Sequence, residues 1–94
     1  MIVRRFTHKA KVGRKSELVD VLKGWLEKSG LTGRVCSSYY GWDTVSCDLE
    51  FETSEDLDKL WGNFDWNQPF AVEFLKKLDE LRESGSTKET WRVH

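Results

Sequence analysis

The residues best suited to chemistry lie between positions 61 and 68. Trp61 and Trp66 bracket a segment that also carries Asn63, Phe64, Asn67 and Gln68. Aromatic walls with a few amides are what hold and orient a flat apolar ligand. Tyr39 and Tyr40 add two phenols from another part of the chain. His8 adds an imidazole that ordinarily titrates near neutral pH and can serve as a general base. Asp48 and Glu50, two apart in an alternating segment, form a carboxylate pair of the kind acid–base catalysis uses. Each of these has a plainer reading. The indoles would anchor a broken helix while the amides cap helix ends, His8 would be an exposed strand-end residue beside Lys9, and the acids would form ion pairs with Arg4, Arg5 or Arg92. The two histidines are far apart and share no Cys/His spacing, so no metal site is expected. No phosphate-binding glycine loop or nucleophile elbow occurs.

The elements that must position these residues can be read in order. Ile2 to Lys9 mixes β-branched, aromatic and basic residues without a turn former and reads as a strand that Gly13 breaks. From Arg14 to Ser29, Leu18, Val21, Leu22, Trp25 and Leu26 make the stripe of an amphipathic helix, which Gly30 stops. Gly24 inside that stripe costs helix stability and suggests close backbone packing there. Within Arg34 to Glu52, Val45, Cys47, Leu49 and Phe51 alternate with Thr44, Ser46, Asp48 and Glu50, giving one apolar and one polar face. Gly41-Trp42 fits a type II′ hairpin turn that pairs Tyr40 with Asp43, Tyr39 with Thr44 and Cys36 with Cys47. That register places Val35, Ser37 and Tyr39 on the polar face and leaves a Cys36–Cys47 bridge open, although two buried, reduced thiols are expected. Ser54 reads as the N-cap of a short helix to about Gly62. Asp65 or Asn67 would cap a further helix with Pro69 in its first turn, running to Ser84 and closed by Gly85. Ser86 to His94 reads as a last strand. The order β-α-β-β-α-α-β is an α+β, ferredoxin-like split βαβ with its second helix in two pieces and a four-stranded antiparallel sheet.

Composition narrows the partners. Fifteen Lys+Arg against 16 Asp+Glu give a net charge of −1, with the basic residues scattered. Neither nucleic acid nor an anionic membrane surface is implied. No stretch approaches about 18 apolar residues and the N-terminus has no apolar signal region, so a cytoplasmic protein is expected. The 94 residues are read as a single domain, 1–94. A chain of this size buries only about 60–65% of its unfolded surface, and self-association would add to its stability. Helices on one face leave the other face of the sheet bare, with Arg4, Arg5, Ser46, Asp48, Glu50 and Arg92 as candidates for a homodimer surface.

The opening Ile2-Val3-Arg4-Arg5-Phe6, the Val12-Gly13-Arg14-Lys15 approach to the helix, the block Gly41-Trp42-Asp43-Thr44-Val45 leading to Leu49-Glu50-Phe51, and the ending Glu83 to Val93 together resemble the small dimeric α/β-barrel superfamily. Within it they look most like NIPSNAP-like and antibiotic-biosynthesis-monooxygenase-like proteins. The resemblance implies two sheets packed face to face into a dimeric barrel, with a cleft between each sheet and its own helices. It also brings cofactor-independent oxidation of an aromatic substrate into view, for which Trp61, Asn63, Trp66, Tyr39 and Tyr40 supply similar residue types. Haem-degrading members require a histidine on the later helices, and residues 54–84 contain none. No cofactor is therefore expected. Three functions stay open: a module binding a small apolar or aromatic ligand, a cofactor-independent monooxygenase or isomerase, and a structural interaction module.

Overall fold

The computed structural model describes residues 1–39 and 43–94, so Tyr40 and the proposed Gly41-Trp42 turn lie outside the described residues. The elements are β1 (Ile2–Lys9), α1 (Lys15–Ser29), β2 (Gly33–Ser37), β3 (Thr44–Phe51), α2 (Ser54–Gly62), α3 (Pro69–Leu81) and β4 (Thr87–Arg92). The strands form one antiparallel sheet in the order β2-β3-β1-β4, the ferredoxin-like arrangement. No helix among the described residues is long and apolar enough to cross a membrane.

The alternation in β3 sorts the two faces. Val45, Cys47, Leu49 and Phe51 are buried and form the core with Leu18, Leu22 and Trp25 of α1 and Phe74, Leu78 and Leu81 at the end of the helical layer. Antiparallel partners share a face, so the β1 residues opposite them, Ile2, Arg4, Phe6 and His8, also belong to the helix side. On β4, Lys88, Thr90 and Arg92 follow them there. Arg4 and Arg92 are thus on the helix side, which corrects their placement on the bare face. Arg4 donates from Nη1 to Thr90 Oγ1 at 2.6 Å and lies over the Phe6 ring.

The bare face carries four cross-strand rows, and one of them runs Arg34, Asp48, Arg5, Glu89 across the whole sheet, with signs alternating. Arg5 grips Asp48 through two hydrogen bonds, Nε to Oδ1 at 2.9 Å and Nη2 to Oδ2 at 3.0 Å. Arg34 approaches the second oxygen at 3.9 Å. Asp48 is only 2% exposed, so these cations replace the water its carboxylate would otherwise need. The choice left open by the sequence falls on Arg5, and its strongest bond, to Asp48, holds its guanidinium above an already high ordinary value.

Three local expectations shift. Pairing in the hairpin is displaced by one residue: Cys36 faces Ser46, Val35 faces Cys47, and Ser38 rather than Tyr39 bonds to Thr44. A one-residue slip turns every side chain to the opposite face, so Val35 and Ser37 join the helix side. Exposed Cys36 sits on the other face from buried Cys47, and both are free thiols. Helix α2 is capped by Thr53, whose hydroxyl accepts from the Asp56 N–H at 3.1 Å, one residue before the expected Ser54. Helix α3 ends at Leu81 instead of Ser84, because Arg82 is drawn into an extended bridge opposite Ala10 while the Glu83 N–H bonds to the Lys9 carbonyl. Gly85, with φ 95°, serves the turn into β4.

Candidate functional site

The break between α2 and α3 is what opens a cleft. Helix α2 stops at Gly62, with the Asn63 N–H bonded to the Trp61 carbonyl. Asp65 Oδ1 then accepts from the Asn67 N–H at 2.9 Å, turning the chain back on itself. Pro69 starts α3 at a position where its missing N–H costs nothing. The turn drives Phe64 and Trp66 inward against Trp25. Trp25 lies nearly parallel to Trp66 (centroids 6.1 Å apart, 6°) and to Phe74 (5.1 Å, 22°), and meets Trp61 edge-on at 6.1 Å. Trp61 in turn leans on Phe6 of the sheet at 5.2 Å. Such offset and edge-on pairs are each worth about 0.5–1.5 kcal/mol beyond the area they bury.

Between this cluster and the sheet is a cleft of about 270 Å³. Its apolar walls are Phe6, Leu22, Trp25, Trp61, Trp66 and Phe74, continued by Leu75, Leu78 and Cys47; its polar lining is His8, Arg82, Ser86 and Lys88. The volume is near the lower end of the roughly 300–1,000 Å³ usual for ligand sites. It suits a small molecule of bicyclic size or below.

His8 is 4% exposed, so it is a buried residue rather than an exposed strand end. Arg82 Nη1 lies 3.2 Å from His8 Nδ1. A guanidinium can only donate, so Nδ1 accepts and the ring proton sits on Nε2. Burial first, and the Arg82 charge second, push the His8 pKa down to about 4. At neutral pH the ring is an uncharged N–H donor, and the general base expected near pH 7 is not what the surroundings provide. Arg82 is itself held by Asp79, with Nη2 and Nε at 2.8 and 3.3 Å from one carboxylate oxygen, and its Nη1 comes within 3.5 Å of Ser86 Oγ. Burial raises the Cys47 thiol to about 12, so it lines the cleft as a small hydrophobe and not as a nucleophile.

Of the residues singled out from sequence, the cleft brings together His8, Trp61 and Trp66. Asn63 is an exposed helix cap outside it, and Tyr39 is 89% exposed. Tyr40 lies outside the described residues. Sequence reading missed Arg82, Ser86 and Lys88, and treated Trp25 as packing alone. Among the described residues no group of three or more His, Cys, Asp or Glu is placed to hold a metal ion.

This architecture has relatives among solved structures. A NIPSNAP family protein from Agrobacterium tumefaciens superposes with a TM-score of 0.74 at 15% identity, covering 99% of this chain and 92% of that one. A candidate antibiotic biosynthesis monooxygenase from Nitrosomonas europaea gives 0.72 at 10% identity, covering 99% and 98%. An uncharacterised NIPSNAP domain protein from Burkholderia xenovorans gives 0.71 at 12%, covering 100% and 95%. The chain has the fold of these proteins. At such identities the likeness concerns backbone architecture and leaves the activity to be argued from the cleft. No family model and no curated protein matches the sequence.

Proposed function

We propose that the protein binds a small apolar or aromatic ligand in the cleft between the sheet and its helices. The observation that carries this reading is the cleft itself, with three indoles and two phenyl rings on its walls and its polar groups gathered from His8, Arg82, Ser86 and Lys88. A ligand there contacts Trp25, Trp61 and Trp66, so binding should quench their fluorescence. Binding to the native state alone should also raise the melting temperature, by the equivalent of about 2.7 kcal/mol at a hundredfold excess over Kd. A panel of aromatic and isoprenoid compounds that moves neither signal would sink the proposal.

The uncharged His8 N–H beside Arg82, in a cleft that Lys88 also lines, favours a second reading, a cofactor-independent monooxygenase or isomerase acting on a small aromatic substrate. Those groups are suited to stabilise an oxyanion developing on a bound ring. Turnover should then be lost in Trp66→Phe and kept in Asn63→Ala, since Asn63 caps α2 outside the cleft. We also propose that two copies close over the bare face of the sheet. A docking module is favoured least, because the exposed large apolar residues of the helices are only Leu60 on α2 and Val72 and Leu75 on α3 among the described residues.

A further inference from the structure

We infer that the cleft takes an amphipathic acid, with a flat apolar body against Trp25, Trp61 and Trp66 and a carboxylate or comparable anionic head at Arg82 and Lys88. This rests on the ligand-binding reading above and adds to it the chemistry of the head group. The charges that line the cleft are of one sign. Arg82 and Lys88 contribute cations, and no Asp or Glu lines it among the described residues, in a chain that has 16 acids and a net charge of −1.

The two cations differ in a useful way. Arg82 is fixed in place by Asp79, which uses a single oxygen and leaves Nη1 directed to His8 and Ser86. Lys88 is on β4 opposite Phe6, on the helix side of the sheet, and has no ion-pair partner among the described residues. The Arg82 side chain is largely withdrawn from solvent and so is screened less than a cation in open water, while exposed Lys88 adds a second positive charge at the rim. Two further donors belong to residues lining the cleft, and the charged acceptor on Arg82, Asp79, engages Nε and Nη2 from outside the lining. His8 carries its proton on Nε2, and the buried indole N–H of Trp25 has no acceptor among the described residues. A neutral ligand of the same shape would fill the walls equally well and leave Lys88 without an anion, while Arg82 would keep only Asp79.

A matched pair of probes separates body from head: 2-naphthoate and 2-naphthamide, titrated into the protein and followed by tryptophan fluorescence and calorimetry. The acid is expected to bind at least about tenfold more tightly at low salt, the effect of one charge-assisted hydrogen bond. That advantage should shrink as salt is added. Lys88→Gln, at an exposed strand position that leaves the core untouched, should remove most of it, and Arg82→Gln the remainder. Equal affinity for acid and amide would overturn the head-group assignment and leave the cleft reading standing. So would an acid preference that survives both substitutions, or failure of both probes while a neutral panel compound binds. Failure of both probes together with the whole neutral panel removes the cleft reading as well.

Discussion

His8 sets the behaviour of the cleft at the scale of single residues. Its folded pKa of about 4 lies below the ordinary value of 6.5 because burial and Arg82 disfavour the imidazolium. The unfolded chain therefore binds more protons between those two values. Its contribution to stability is complete above about pH 6.5 and is lost as the pH falls toward 4, with unfolding free energy declining by up to about 1.4 kcal/mol per pH unit. The groups facing His8 do not offset this: Arg82 from the end of α3 is already cationic, Lys88 on β4 adds like charge at the cleft, and Cys47 of β3 stays neutral. Urea unfolding across pH 4–7 should show this slope, and His8→Gln should flatten it. An NMR titration that placed the His8 midpoint at 6 or above would refute the argument. The same residue shows what sequence leaves out. Its type marked it as a candidate, yet its state depends on Arg82, 74 residues away.

At the scale of elements, what was legible followed from local periodicity. The alternation Val45, Cys47, Leu49, Phe51 placed β3 and its buried face correctly, and the stripe through Leu18, Leu22 and Trp25 placed α1. What failed was set by distant partners or by a turn. Hairpin register depends on turn geometry, and one residue of difference moved Val35 to the core side and separated Cys36 from Cys47. The end of α3 is set by Ala10 and Lys9, which no local signal near Ser84 announces. The two glycines of α1 and β2 invert their expected importance. Gly24 looked like a close-packing point, but a Cβ there would meet nothing within 4 Å. Gly24→Ala should stabilise the protein by about 0.5–1 kcal/mol through helix propensity and a less flexible unfolded chain. Gly33 carries no local sequence signal, yet a Cβ there would collide with the Asp48 carbonyl where β2 meets β3. Gly33→Ala should cost about 2 kcal/mol or more. Chemical denaturation of the two variants checks both signs, and a stabilised Gly33→Ala would show that this strand contact is looser than described.

For the whole molecule, the bare sheet face decides whether the protein acts alone. Covering charged groups ordinarily carries a desolvation cost that mutual attraction barely repays. Here most of that cost is already met within one copy, because Arg5 bonds both Asp48 oxygens, Arg34 stands 3.9 Å away, and Asp48 is hidden from water even in the single chain. The rows on either side of the charge ladder are Val3, Glu50 and Trp91 on one side and Thr7, Ser46, Cys36 and Thr87 on the other. Trp91, half exposed, offers the anchor type that interfaces favour. Light scattering should therefore give twice the 11.0 kDa chain mass at micromolar concentration. Ser46→Arg places a cation with no partner in the middle of this face, and two-fold symmetry would bring two such charges into one interface. That variant should run as a folded monomer whose melting temperature no longer depends on concentration. Glu73→Arg, on the outer surface of α3, alters charge in the same direction and should leave the dimer intact. A wild-type monomer, or a Ser46→Arg dimer as tight as wild type, would mean that the alternating row serves only to hold the sheet together, with its open face an ordinary solvent surface.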